Sequence, residues 1–319
     1  MKKGIVPAYE TSLGKMYVGD SIDLLEKLDD GSVNLVITSP PFALQRKKEY
    51  GNLDQAEYVE WFLKFSKIVF SKLKDDGSFV VDFGGSYMKG VPVRSLYNFR
   101  VLIEMVDRLG FYLAEEFYWH NTSKLPSPIE WVNKRKIRAK DSVNTVWWFS
   151  KTEWPKSDVS KVLVPYSEKM KKLISDPDKY YKPKDRPSGH SIGKSFGKDN
   201  GGAIPSNLLT IPNSDSNGGY LSGCKKLGIK AHPARFPSKL PEFFINMLTD
   251  PEDLVVDIFG GSNTTGKAAD MMGRKWISFE QRIDYVAASV TRFFDKNADV
   301  ETIENAYKKI LNGETYRIV

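Results

Sequence analysis

Leu254-Val255-Val256-Asp257-Ile258-Phe259-Gly260-Gly261-Ser262-Asn263-Thr264-Thr265-Gly266 reads as a buried strand that stops at a glycine-rich turn and opens a helix. A short, almost wholly apolar strand suits a parallel sheet covered on both faces, and the turn leaving its carboxyl end is where open α/β sheets take ligands. Downstream, Lys275-Trp276-Ile277-Ser278-Phe279 is a second strand, ended by Glu280 and followed by a final helix. Upstream, a helix is expected around 238–249. The amino-terminal half repeats the alternation. Lys15 to Asp20 is a strand ending in an acid, and Ser21 to Leu28 a helix with Ile22, Leu25 and Leu28 on one stripe. Val33 to Ile37 is a strand, and Asp54-Gln55-Ala56-Glu57 is a capping box before Tyr58, Trp61, Phe62, Phe65 and Val69 at helical spacing. Gly77 to Asp82 is a further strand, and Phe99, Leu102, Val106 and Leu109 stripe a helix that Gly110 terminates. Strands at 111–119 and 143–149 complete a doubly wound, mostly parallel α/β sheet.

The composition agrees with one large core. With 319 residues, 41% hydrophobic and 27% charged, the chain is neither disordered, collagen-like nor disulfide-stapled. It has no apolar run of the roughly 20 residues a membrane helix needs and no signal-peptide core, so a soluble, cytoplasmic protein is expected. Cys224 is the one cysteine and His120, His190 and His232 are scattered, so no metal is expected. The 47 Lys+Arg against 40 Asp+Glu give +7, which favours a polyanionic partner.

Between 151 and 228, seven prolines from Pro155 to Pro212 interrupt a Lys-, Gly-, Ser- and Asn-rich stretch of weak periodicity. Residues 1–150 and 229–319 are thus expected to form one core, and 151–228 an inserted, loop-rich binding region.

The turn at Phe259, Gly260, Gly261, Ser262, Asn263 and Thr264 lets a cofactor approach the backbone, and Glu280 stands where a carboxylate accepts both hydroxyls of a ribose. Three cofactor classes compete. Gly261 to Lys267 nearly spells a nucleotide-triphosphate loop, but Ala268 sits where a Mg²⁺-ligating hydroxyl is required. Dinucleotide spacing is not met either, since Asn263 and Thr264 fall outside it. S-Adenosylmethionine remains: it offers an adenosine to the acids, carries no phosphate, and bears a cation suited to an acidic cleft.

A second constellation, Thr38-Ser39-Pro40-Pro41-Phe42, also follows a strand. Pro40 and Pro41 fix φ and donate no N–H, so they form a rigid ledge of free carbonyl acceptors beside the Ser39 hydroxyl, and Phe42 offers a face for a planar base. Read blandly, this is a proline-rich turn with a core phenylalanine. Read as chemistry, it fits alkylation of an exocyclic amino group. Ser39 Oγ and the Pro40 carbonyl would each accept an N–H and turn the nitrogen lone pair toward a sulfonium methyl. Asp82, at the end of the neighbouring strand, would polarise Ser39 or accept the proton.

With these residues the sequence resembles the β-group amino-methyltransferases of bacterial restriction-modification systems, in which an S-P-P-F or D-P-P-Y motif precedes an F-x-G-x-G motif. Here Ser39 to Phe42 precedes Asp257 to Asn263 in that permuted order. The resemblance runs through 43–52, 133–138 and 231–237, nearly the whole chain. It implies cytosine-N4 methylation, since Ser stands where adenine-N6 members usually carry Asp, within a short palindromic duplex site, CAGCTG. It also implies protection against a cognate restriction endonuclease, a genetic partner without stable contact, and action as a monomer. Asp20 would lie near the adenine, Glu280 on the ribose, the Phe259 to Asn263 turn with Asp257 and Thr264 around the methionine part, and His232 to Pro237, with Phe236 and Pro237 as cofactor residues, as the segment before the helix that flanks it. Asn263 departs from the glycine common in the family, but asparagine tolerates a left-handed backbone.

Double-stranded DNA is the expected partner. Lys134, Arg135, Lys136, Arg138 and Lys140 form a basic run without an acid, read as phosphate contacts or as a solvated loop. Arg46, Lys47 and Lys48 follow the ledge closely enough to hold the strand beside a flipped base. Arg186, His190, Lys194 and Lys198 are candidates for base contacts. Two alternatives stay open: an adenine-N6 methyltransferase, and a non-catalytic DNA-binding module. The latter leaves both the ledge and Glu280 unexplained.

Overall fold

The computed structural model describes residues 5–42, 55–180, 197–214, 218–295 and 297–318. They form two compact units, one running up to Ser157 and resuming at Asn207, the other spanning Asp158–Ser206.

The larger unit is built on one ten-stranded sheet. Its strands are β1 (Tyr9–Glu10), β2 (Gly14–Val18), β3 (Val33–Thr38), β4 (Leu73–Phe83), β5 (Tyr112–His120), β6 (Val143–Ser150), β7 (Leu208–Thr210), β8 (Leu254–Asp257), β9 (Lys275–Glu280) and β10 (Tyr316–Arg317). They lie in the order β10-β1-β2-β9-β8-β3-β4-β6-β5-β7. The five neighbours β2, β9, β8, β3 and β4 are mutually parallel, and β6 runs antiparallel between β4 and β5. Every residue of β3 is buried, as a central strand covered on both faces must be. Because the chain passes from β8 to β9 on one side and from β3 to β4 on the other, the winding reverses between β8 and β3. The two motifs quoted above open into that crevice.

The helices of this unit are α1 (Ser21–Leu25), α2 (Gln55–Lys72) and α3 (Tyr97–Asp107), then, beyond the second unit, α6 (Gly218–Lys226), α7 (Lys239–Leu248), α8 (Thr264–Met271), α9 (Ile283–Ser289) and α10 (Val300–Leu311). Helix α2 buries Tyr58, Phe62, Phe65 and Val69 at the expected i, i+4, i+7 and i+11 positions, packed with Phe79, Phe83, Phe111 and Phe149 of the sheet side. Helix α3 is rotated from its expected stripe. It buries Tyr97, Val101 and Met105, whereas Phe99 and Val106 are 44% and 37% exposed. The rotation is set by Tyr97, whose hydroxyl donates to the Gly84 carbonyl at the end of β4.

The second unit contains a 3-10 turn (Val159–Val162), α4 (Glu168–Ser175) and α5 (Pro177–Tyr180) among its described residues. It is narrower than the 151–228 insertion expected from composition. Leu208–Thr210 is an edge strand paired with β5, and α6 buries Tyr220 and Cys224 in a cluster with Ala288. Short elements among prolines carry too little periodicity to be separated from loop by sequence alone. No helix among the described residues is long and apolar enough to cross a membrane.

Candidate active site

Five strand ends lie side by side along one edge, in the order β2, β9, β8, β3, β4. They carry Asp20, Glu280, the Phe259–Thr264 turn, Ser39–Phe42 and Asp82 respectively. At about 4.8 Å per strand this row spans about 19 Å, enough for a nucleoside-sized cofactor followed by a base. A cavity of about 1140 Å³ opens along it, larger than the roughly 300–1,000 Å³ usual for one small-molecule ligand.

At the β3–β4 end, Ser39 Oγ donates to Asp82 Oδ2 at 3.0 Å. Asn144 Nδ2 on β6 donates to Asp82 Oδ1 at 2.9 Å. Burial pushes the Asp82 carboxyl up to about 6, against the pull of Asn144, Ser39 and the Lys124 charge. A buried carboxylate so held is poised to take a proton near neutral pH. Pro40, Pro41 and Phe42 line the cavity beside it. The Phe42 ring lies so close to Gly84 that a Cβ there would fall 2.2 Å from it, so Gly84 seats the aromatic face.

At the β8–β9 end, Gly261 adopts φ 49°, and a Cβ on Gly260 would come within 3.1 Å of the Phe279 carbonyl. The turn therefore stays close and open to a ligand. Glu280 accepts from the amides of Gly261 and Arg282, each at 3.0 Å, and burial raises its pKa. Those two bonds leave half of the carboxylate's acceptor capacity for a vicinal diol. Asp20 caps α1 by accepting from Ile22 N at 2.8 Å, and its other oxygen accepts from Gln281 Nε2 at 2.7 Å. Phe236, Phe259, Gly260, Gly261, Ser262 and Thr264 line the cavity as well.

Three expected cofactor residues are placed differently. Asp257 is 1% exposed and accepts from Thr38 Oγ1 (2.6 Å), Thr265 Oγ1 (2.7 Å) and Phe259 N (3.1 Å). It ties the two motif-bearing turns together and does not line the cavity. Asn263, at φ 54°, caps α8 and turns its amide away from the cavity. Its Oδ1 accepts from Gly266 N and Ser278 Oγ, and its Nδ2 donates to Tyr9. Pro237 is buried ahead of α7. A turn motif tells which residues are close to a ligand, but side-chain direction follows from neighbours distant in sequence.

Tyr58 and Phe65 are core residues as their spacing predicts, with Trp61 packed against them; Arg235 belongs to the 232–237 segment, and Lys124, Asn144 and Gln281 carry no signal in the sequence. All of these line the cavity. Helical periodicity marks a residue as apolar-facing and cannot tell a core from a cavity wall.

An acid lies four residues ahead of the basic run. Glu130 sits 3.3 Å from Lys134 and 3.0 Å from Arg135. Arg138 donates to the Pro92 carbonyl at 2.9 Å and Lys140 to that of Lys124 at 3.2 Å. Lys134, Arg135, Lys136 and Arg138 are all exposed, as is Lys198 in the second unit. Arg46, Lys47, Lys48, Arg186, His190 and Lys194 lie outside the described residues. Among the described residues no group of three or more His, Cys, Asp or Glu is placed to hold a metal ion.

Known proteins share this arrangement. A DNA methylase family model covering N6 and N4 enzymes matches residues 33–291. The type II methyltransferase M.PvuII of Proteus hauseri is 72% identical over 98% of this chain and 93% of its own length. M.ScaI of Streptomyces caespitosus is 26% identical over 90% of this chain and 83% of its own. The solved PvuII DNA methyltransferase, described as cytosine-N4-specific, superposes with a TM-score of 0.81 at 63% identity, covering 98% of this chain and 97% of that one. The chain belongs to the N6/N4 DNA methylase family.

Proposed function

We propose that this enzyme transfers the methyl group of S-adenosylmethionine to the exocyclic N4 of a cytosine flipped out of duplex DNA. The observation that carries the reading is the pairing of Ser39 with a buried Asp82 at 3.0 Å, at one end of a cavity whose other end offers Glu280. The residues fit the cofactor: Glu280 keeps free acceptor capacity, and the glycines hold open a cradle that a Cβ would fill.

When bound, S-adenosylmethionine supplies an electrophilic methyl on a sulfonium. The chain's own groups do the rest. Ser39 Oγ, whose hydrogen is committed to Asp82, presents lone pairs to one amino N–H, and the Pro40 carbonyl serves the other. Both acceptors favour a tetrahedral nitrogen and stabilise its developing positive charge. As the N–C bond formed and the S–CH3 bond broke, its electron pair staying on sulfur, the surplus N–H proton would pass to Ser39 Oγ while the Ser39 proton moved to Asp82. Phe42 stacks on the base, offsetting part of the few kcal/mol that flipping costs.

The specificity printed for the solved relative supports cytosine N4 as the acceptor; CAGCTG as the site, protection from a cognate endonuclease, action as a monomer and a cytoplasmic location are proposed with it. Phosphate contacts are assigned to Lys134, Arg135, Lys136 and Arg138, and base readout to the second unit around Lys198. The test is incubation of CAGCTG and control duplexes with the cofactor, digestion to nucleosides and mass spectrometry. N4-methylcytosine confined to CAGCTG is expected. N6-methyladenine overturns the base assignment, and no methylated base overturns the reading.

A further inference from the structure

Beyond Asp82 the cavity continues along the sheet. Strands β6 and β5 follow β4 in order, and Asn144 at the start of β6, Trp119 near the end of β5 and Lys124 in the turn after it all line the cavity. At about 4.8 Å per strand, β5 stands about 10 Å past the strand that carries Asp82. Lys124 is half-buried, and among the described residues its ammonium enters no ion pair or hydrogen bond. Its charge nevertheless reaches the catalytic end: burial raises the Asp82 carboxyl, and Lys124 is among the groups that pull it back.

The turn that carries Lys124 is tied down on two sides. Asn121 donates its backbone N–H to the Ser142 carbonyl at 2.8 Å, and its Oδ1 accepts from Ser123 N at 3.0 Å and from Asn213 N, beyond β7, at 3.1 Å. Lys124 N reaches the Asn121 carbonyl at 3.3 Å, and Lys140 Nζ donates to the Lys124 carbonyl at 3.2 Å. The backbone is thus fixed while the ammonium is left over. Both groups placed against the reacting nitrogen, Ser39 Oγ and the Pro40 carbonyl, are acceptors. Two nearby side-chain donors are already spent, Asn144 Nδ2 on Asp82 at 2.9 Å and Trp119 Nε1 on the Ile211 carbonyl at 2.8 Å. An extruded base is read along its Watson–Crick edge, and on cytosine that edge runs from the 4-amino group through N3 to O2, so two acceptors there still need a donor.

We infer that Lys124 donates to O2 of the extruded cytosine, so that the base is held by its amino group at Ser39 and Pro40 and by its carbonyl at Lys124, and that this contact selects cytosine over adenine. The inference rests on the proposed transfer to cytosine N4. Adenine, with its amino group on the same ledge, turns a C–H to the place where cytosine carries O2, and the ammonium then meets no acceptor. A hydrogen bond from a charged donor corresponds to about 10- to 100-fold.

Single-turnover methylation by the full chain tests this on CAGCTG duplexes that carry either cytosine or 2-thiocytosine at the target position. The thio base keeps the amino group and N3 but replaces O2 by a poor acceptor, and its altered pairing acts on every enzyme variant alike. The wild type should methylate the cytosine duplex at least about 10-fold faster, and Lys124→Met should slow on cytosine and bring the two rates within about threefold. Lys124→Arg, which still offers charged donors, should keep most of the preference. Cofactor affinity of the Met variant within twofold of wild type, by calorimetry, shows that it folds. A wild type indifferent to the sulfur, or a Met variant that keeps the wild-type ratio, overturns the O2 contact and leaves the cytosine reading intact. An equal loss on both duplexes with a shallower salt dependence, the behaviour of a phosphate contact, overturns it too. A wild type that methylates neither duplex overturns both.

Discussion

Ser39 Oγ and Asp82 Oδ2, 43 positions apart in sequence, meet at 3.0 Å because the strands that end in them, β3 and β4, are parallel neighbours in register from Leu35/Ser78 to Thr38/Val81. One sheet edge thus presents an acceptor and its proton sink together. Ser39→Ala removes the acceptor that touches the reacting nitrogen and should lower kcat by about 10²- to 10⁴-fold, with cofactor affinity by calorimetry within twofold of wild type. Full turnover in this variant sinks the assignment.

The pH profile follows from Asp82. Its carboxyl is pushed up to about 6 by burial, and only the ionised form accepts the Ser39 proton. Single-turnover methylation should therefore rise with pH through about 6 and level off above it. Asn144→Ala removes a donor that favours the carboxylate and should move that limb to higher pH. An unmoved limb denies Asn144 a part in holding the charge. For stability the sign reverses, because the folded value lies above the ordinary carboxyl value of 3.8. The Asp82 contribution is full below that value and is lost as pH rises through about 6.

Glu280 should separate binding from chemistry in the opposite sense to Ser39. Glu280→Ala deletes the carboxylate that accepts from Gly261 and Arg282 and is assigned to the ribose. A 10- to 100-fold loss of cofactor affinity, about 1.4–2.7 kcal/mol, is expected, while DNA binding at fixed salt is retained. Unchanged calorimetry would remove Glu280 from the cofactor site.

Asn263 is expected to matter for folding. It is fully buried, left-handed, and engaged with Gly266, Ser278 and Tyr9. Asn263→Ala loses the cap and those bonds and keeps the strained φ, for an expected loss of about 2–4 kcal/mol in denaturant unfolding. Asn263→Gly relieves the backbone and should lose less. Equal losses in the two variants would show that the hydrogen bonds alone decide.

Electrostatics of DNA binding give a quantitative check on the basic run. If Lys134, Arg135 and Lys136 neutralise phosphates, their joint change to Ala should flatten the slope of log K against log salt by up to about 2.7. Since Glu130 already engages Lys134 and Arg135, an intermediate change points to Lys136 as the main contact. No change marks the run as a solvated loop.

Sequence by itself determined the sheet and the edge on which the site is built. Buried strands such as 254–257 and 33–38 are mostly apolar, and the turns after them carry residue types, Pro-Pro and Gly-Gly, that act on their own backbone. Such signals are local and need no partner to be read. Tertiary structure alone decided which side chains of those turns face the cavity. Asp257 and Asn263 belong to the quoted motif, yet their oxygens are taken up by Thr38, Thr265 and Ser278, groups brought beside them only by strand pairing and by the packing of α8. Tyr58 is core as its periodicity predicts and walls the cavity as well, and Arg235 lines that cavity beside the Tyr220 ring that α6 supplies. A side chain's partner is fixed by contacts far away in sequence, and no local pattern encodes those contacts.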